Sequence, residues 1–318
     1  HPTLRRQRQM CIRDSTQTIR PPAFRATQVG LLLALAGCLL FSIKPVLIKI
    51  AYQYGGDATS IMALRAFSSL PLYLAMLVYL CRIPDNRTKA KQHGLKAVAI
   101  GIMGYYIASY LDIASLEFIS AQLERLLIFL FPTFVVLISW ALYRQVPSRR
   151  VIVTTLLGYI GISLIFVHDF NILGSSVLFG SGLAIMSALV FAFYLVWSKP
   201  LISRMGSSLF TSIGMGSAGV AIVIHLLLSQ AEIYSWSSEL IIIGVTLGIF
   251  CTVVPSYLIA AAMARLTPTQ LSLTSNIGPA ITAISAVLVL GEAFTVWHAM
   301  GMTLVVFSVY LLNKPKTD

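Results

Sequence analysis

Charge is scarce in this chain: 11% of its residues are charged, against about 25% in a soluble globular protein. Acidic residues are scarcer still, 11 against 23 Lys and Arg. No Gly-x-x-x-x-Gly-Lys-Ser/Thr phosphate loop is present, and no polar stretch is long enough to hold a nucleotide-binding domain, so ATP cannot drive the protein directly. The four cysteines, Cys11, Cys38, Cys81 and Cys251, are scattered without CxxC or His-partnered spacing. Neither a disulfide framework nor a metal site is expected from them. The period-two alternation of a membrane barrel is also missing.

Apolar residues fill the space, at 57% of the chain, and the mean hydropathy is +0.84. Leu126–Tyr143, Val151–Val167, Leu240–Ala264 and Leu266–Gly291 each run without a charge, long enough for a membrane helix of roughly 17–25 residues. The chain reads as an all-α, multi-pass membrane protein. Its net charge of +12 raises a nucleic-acid reading, but most basic residues lie in short loops beside helix ends, which is the pattern that orients membrane helices. No nucleic-acid partner and no cofactor are expected; the lipid bilayer is.

Ten segments can be placed: Val29–Ile50, Thr59–Cys81, Leu95–Leu111, Ile119–Tyr143, Val151–Val167, Val177–Trp197, Leu209–Ser229, Leu240–Ala264, Thr269–Leu290 and Thr295–Asn313. With both termini cytoplasmic, the inner loops and helix ends carry Arg82, Arg87, Lys89, Lys91, Lys96, Arg144, Arg149, Arg150, Lys199, Arg204 and Arg265, and the outer ones only Lys49. Asp57, Asp112, Glu117 and Asp169 fall among the outer loops and helix ends, and the stretch from His168 to Gly174 is expected outside. Residues 1–27 read as an N-terminal tail. HPTLRRQRQMCIRDS, residues 1–15, resembles translated adapter sequence, has no apolar h-region and is set aside from the fold.

The ten segments divide into two fives, residues 28–167 and residues 168–318 with a short C-terminal tail. A shift of 147 residues sets Tyr110 on Tyr257, Ala114 on Ala261 and Pro132 on Pro279. Five is odd, so the second copy must cross the membrane in the opposite sense. Inverted repeats with interrupted helices in matching positions point to an alternating-access transporter. Pro132 and Pro279 are then the expected hinges, since a proline leaves a backbone carbonyl one turn earlier without its donor.

Charges within such helices are costly, about 2.5–3.5 kcal/mol near a helix centre on insertion scales, and so face the protein interior. Four lie there: Lys44, Arg65, Glu124 and Arg125. At about 1.5 Å per residue, Lys44, Arg65 and Glu124 fall at similar depth below the outer face. Glu124 is expected to face Arg65 or Lys44 rather than Arg125, because adjacent helical residues diverge by about 100°. A static ion-pair network, a substrate or proton-coupling site and snorkelling to the headgroups all remain open for these charges. In the second half the equivalent region is uncharged, and Ser275 and Asn276 beside Pro279 are the candidate hydrogen-bonding residues. Tyr106, Tyr110 and Tyr257 are candidate cavity-lining residues. His225 reads as a hydrogen-bonded filler, and Gly158, Gly161, Gly214, Gly216 and Gly219 as sites of close helix packing.

The paired blocks Ser120–Tyr143 and Gln270–Glu292, with their mid-helix prolines and the closing Gly291-Glu292, resemble the ten-helix EamA-type transporters of the drug/metabolite transporter superfamily. The first copy departs from the family with Tyr143-Arg144 where Gly-Glu is usual, so no role for that acidic residue carries over to it. The resemblance implies a secondary transporter, an exporter rather than an importer, moving a small organic metabolite or amphipathic compound across the bacterial cytoplasmic membrane. Proton antiport through Glu124 and simple facilitated exchange both stay open, as do monomer and homodimer. An intramembrane enzyme is the rival reading, but it would need clustered His or paired Asp, and the five histidines are scattered along the chain. A receptor or scaffold is the other.

Overall fold

A computed structural model describes residues 24–144, 149–229, 236–263, 265–266, 274 and 277–313. The readings of residues 1–15, of most of the N-terminal tail and of the basic C-terminal tail lie outside the described residues, as do Ser275 and Asn276.

Each expected segment is mainly helical where it is described, apart from its ends and the break at Phe129 and Leu130. α1 is Phe24–Gln53, α2 is Ala58–Leu80, and α3 runs from Pro84–Gly101 through a widened π-helical turn, Ile102–Ile107, into Ala108–Ser115. α4 is broken into α4a, Ala121–Ile128, and α4b, Phe131–Tyr143. α5 is Arg149–Leu173, α6 is Ser176–Met205 and α7 is Ser207–Leu228. α8 runs from Ser238–Gly248 through a second π-helical turn, Ile249–Val253, to Val254–Met263. α9 is described over Gly278–Ser285 and a π-helical end, Ala286–Leu290, and α10 is Val296–Asn313. Eight of these helices are long and apolar enough to cross a membrane, while Gly278–Leu290 and Val296–Ser308 are shorter apolar helices.

Several helices run beyond the bounds read from the sequence: α1 starts at Phe24, not Val29, and α6 continues past Trp197 to Met205. α3 begins at Pro84, not Leu95, because a proline at the helix start and Asp85 in the first turn both favour initiation there. α5 does not end at Val167 but continues through His168 and Asp169 to Leu173, so most of the expected outer loop is helix. The helices bury their small and polar faces and turn leucines such as Leu227, Leu228 and Leu288 outward. A bundle in water would hide them; one in lipid need not.

The breaks follow from local chemistry. Pro132 sits in the first turn of α4b, where its missing N–H costs nothing, and Leu130 closes the end of α4a with a tight bond to the carbonyl of Leu127, 3.0 Å. Pro279 occupies the same place in α9, and the residues before the two helices, Leu130 and Ile277, share one backbone conformation. The π-helical turns begin at Ile102 and Ile249, and α4b and α9 begin at Phe131 and Gly278. Each pair is 147 positions apart. So are Arg144 and Gly291, both left-handed, with φ of 53° and 67°. This register sets Arg144 against Gly291, one residue away from the sequence reading that matched Tyr143-Arg144 to Gly291-Glu292.

Helix packing has the same exchange pattern. α2 lies against α7 and α5 against α10; α1 packs on α8 as α6 packs on α3. α2 meets α8 as α7 meets α3, and α4b meets α6 as α9 meets α1. Glycine permits the closest of these approaches: a Cβ on Gly101 of α3 would overlap the backbone of Gly214 in α7. Gly161 of α5 and Gly301 of α10 meet in the same way.

Candidate functional site

The centre of the charged site is an ion pair that joins α1 to α3. Lys44 Nζ lies 2.5 Å from Asp112 Oδ2, with the carboxylate side chain 6% exposed. Asp112 was expected at the outer helix end. The structure corrects this, because the turn after α3 is itself buried: Leu116 and Ile119 are hidden from solvent. Asp112 therefore sits inside the bundle, not at its rim, and Glu124 is not the only carboxylate within the helices.

Glu124, on α4a, is 1% exposed. Its ionisable neighbours are Asp112, Lys44 and Arg125. Lys44, one of the two expected partners, is among its charged neighbours, while Arg65 is not. Arg65 instead donates to Ser109 Oγ at 2.9 Å and has Asp112, Tyr73 and Cys251 as electrostatic neighbours. Asp112 Oδ1 and Glu124 Oε2 accept no hydrogen bond of ordinary geometry among the described residues. Two buried acids with a spare oxygen each are unusual, since buried polar atoms are nearly always satisfied.

Arg125 turns a different way, as its position on the helix requires. Its guanidinium stands over the Phe129 ring at 5.6 Å, reaches Ser42 Oγ at 3.5 Å and lies beside Gly278 at the start of α9. Its Nε has no acceptor among the described residues. Ser42 in turn is tied to α9, because Thr282 Oγ1 donates to the Ser42 carbonyl at 2.7 Å. The arginine thus lies where α1, α4a and the proline-led start of α9 converge.

The tyrosines do not join this cluster. Tyr106 bonds His225 Nδ1 at 2.8 Å, and the ring of Tyr110 lies 5.3 Å from the same imidazole. His225 is hydrogen-bonded, as expected. Tyr257 lies 6.3 Å from Tyr73 between ring centres, and its hydroxyl is unpartnered among the described residues. A groove of about 660 Å³ lies apart from the charges, on the flank of α5 beside Trp297 of α10. Beside Pro132 is a void of about 30 Å³, roughly the volume of one water molecule.

One turn nearer the Gln53 end, a second network covers the first. Ser120 caps α4a by accepting from Leu123 N–H at 3.0 Å and donates to Asp169 of α5 at 2.5 Å. Glu292, beyond α9, accepts from the Ala121 N–H at 2.9 Å and pairs with Lys49 at 3.5 Å. An acid at a helix N-terminus is favoured by the helix dipole. Gly291 turns the chain so that Glu292 can reach it. Sequence reading quoted the Gly291-Glu292 pair but could not supply its partner, which lies on a helix 171 positions earlier.

Buried charges in an apolar bundle, helices broken at prolines and an apolar exterior fit a multi-pass membrane protein. The chain belongs to the EamA-like transporter family, within the drug/metabolite transporter superfamily; the family's sequence profile matches residues 28–167 and again 178–314. It is similar to the uncharacterized transporter YcbK of Bacillus subtilis, 25% identical over 283 residues, covering 87% of this chain and 90% of that one. An uncharacterized transporter of Synechocystis is 24% identical over 312 residues, covering 91% and 94%. A solved crystal structure shares the fold, with a TM-score of 0.61 and 18% identity over 89% of this chain and 96% of that one. Transport of a small molecule within the lipid bilayer and placement in the bacterial inner membrane follow from the family.

Proposed function

We propose that the protein is a secondary, proton-coupled transporter of a small organic solute bearing an acidic group, working by alternating access between two inverted five-helix repeats. The observation that carries this is the pair of buried carboxyls, Asp112 and Glu124, side by side with one lysine and one spare oxygen each. Ionisable residues at such depth mark ion or substrate pathways far more often than they serve stability. Counting Lys44, Arg65 and Arg125 against the two acids leaves a surplus of one positive charge. Arg125, the least satisfied cation, suits an incoming carboxylate or phosphate.

In this scheme Glu124 carries the proton and Arg125 the acidic group of the solute. Lys44 stays with Asp112 and keeps the carboxyl pair from holding two negative charges uncompensated. Loading the solute anion beside Glu124 raises its affinity for a proton, so that solute and proton are bound together and cross in the same direction. Twin breaks at Pro132 and Pro279, the matched π-helical turns and the exchange pattern of the packing support the repeat. Two separate family matches support it as well. The carbonyls freed at the breaks let each half bend without losing a continuous ladder.

The excess of Lys and Arg in the loops on one side favours cytoplasmic termini, and the lid of Lys49, Ser120, Asp169 and Glu292 then faces outward. A reporter inserted at Gly174, in the turn between α5 and α6, should read outside, and one at the C-terminus inside. Readout from the same side for both would end the ten-helix scheme. Transport itself is tested in liposomes by counterflow, using the acidic solute that most raises the melting temperature of the purified protein. Internal unlabelled solute should drive transient uptake of external label. Uptake that is indifferent to internal solute would mean a channel, and no uptake a receptor or scaffold.

A further inference from the structure

His168 and Asp169 of α5 meet His298 of α10, 130 positions beyond His168 in sequence, at one end of the bundle. Their ligating atoms all lie within 4.8 Å of one another. We propose that they form a binding site for a divalent transition-metal ion of the zinc type, clamping the first half of the chain to the second.

The distances favour a metal over a simple ion pair. His168 Nδ1 and His298 Nε2 both face Asp169 Oδ1, at 3.4 and 3.5 Å. Charge-assisted N–H···O bonds are shorter, about 2.7–2.9 Å. Ligand atoms at about 2.0–2.1 Å from a tetrahedral zinc stand roughly 3.3 Å from each other, which is the edge of the tetrahedron. The two imidazoles are edge to face, with centres 4.6 Å apart and planes at 78°, so their nitrogens point inward from different directions. Two imidazoles and one carboxylate make up a donor set that zinc accepts, with the fourth position left for water.

The supporting groups fit as well. Asp169 is oriented by Ser120, which holds its other oxygen. His298 Nδ1 is met by the Thr295 backbone N–H at 3.3 Å and by Thr295 Oγ1 at 2.9 Å; an ion at Nε2 requires the tautomer in which Nδ1 carries the proton and donates it to Oγ1. Asp169 and His298 are buried, while the His168 side chain is 14% exposed. His168 also lines the groove on α5, beside Asn171 and Trp297, which gives an ion a route in. Because the ligands come from α5 and α10, next to the cap of α4a, an ion here would hold that end of the bundle shut.

The test uses full-length, tag-free protein stripped with a chelator. Zinc should bind at one equivalent and raise the melting temperature, as any ligand of the folded state does. Cobalt at the same site should give the visible absorption of a tetrahedral complex. His168→Ala and His298→Ala should each weaken binding at least tenfold, and Thr295→Val by about tenfold through the orientation of His298. If His298→Ala fails to fold, His168→Ala decides the matter. No saturable zinc binding, or binding unchanged in His168→Ala, would overturn the proposal and leave only adventitious ions at the surface.

Discussion

Asp112→Asn is expected to cost about 3–5 kcal/mol of stability, the usual consequence of removing one member of a buried ion pair. The asparagine keeps the shape and one acceptor oxygen. It leaves Lys44, at 19% exposure and bonded to Asp112 at 2.5 Å, without a counter-charge. Arg65 loses its nearest acid at the same time. The loss should therefore exceed what one hydrogen bond explains, about 0.5–1.5 kcal/mol. Unfolding of detergent-solubilised protein measures it. The double variant Lys44→Met with Asp112→Leu should recover much of the loss, because replacing both partners by apolar groups removes the stranded charge. If Asp112→Asn costs less than about 1 kcal/mol, the pair is not buried as described.

Glu124→Gln is expected to separate two activities. The glutamine fills the same volume but cannot take up and release a proton. Uptake driven by a pH gradient should fall to background, while solute counterflow should persist, since exchange of solute for solute needs no net proton movement. A purely structural role gives a different result: both activities should drop together with thermal stability. Glu124 has no cation in direct contact of the kind Asp112 has, so its neutral replacement strands nothing and stability should change little. The two variants thus have opposite profiles. Asp112→Asn is read mainly in stability and Glu124→Gln mainly in coupling.

The all-helical, multi-pass character was legible in the sequence because it rests on local signals, the long uncharged runs; two mid-helix prolines and a 147-residue echo could be read beside it. The same echo reappears in features that no composition reports, the π-helical turns at Ile102 and Ile249 and the left-handed residues Arg144 and Gly291. Lys44, Arg65, Glu124 and Arg125 could be picked out because a charge inside an apolar run is conspicuous. Their partners could not. Asp112 and Asp169 lie near the ends of apolar runs, where an acid ordinarily faces water; only the buried turn after α3 and the extension of α5 bring them indoors. Glu292 and His298 are invisible for another reason. Their contacts cross from one half of the chain to the other, and helix packing sets which residues meet there.

The central claim is that Glu124 takes up a proton as the acidic solute binds beside it. It is tested most directly by calorimetry of solute binding to purified protein in buffers of different ionisation enthalpy, which counts protons taken up per solute bound. The account predicts an uptake of up to one proton for the wild-type protein and none for Glu124→Gln, with both still binding solute. Equal proton uptake by the two proteins, or none by the wild type at any pH, would contradict it.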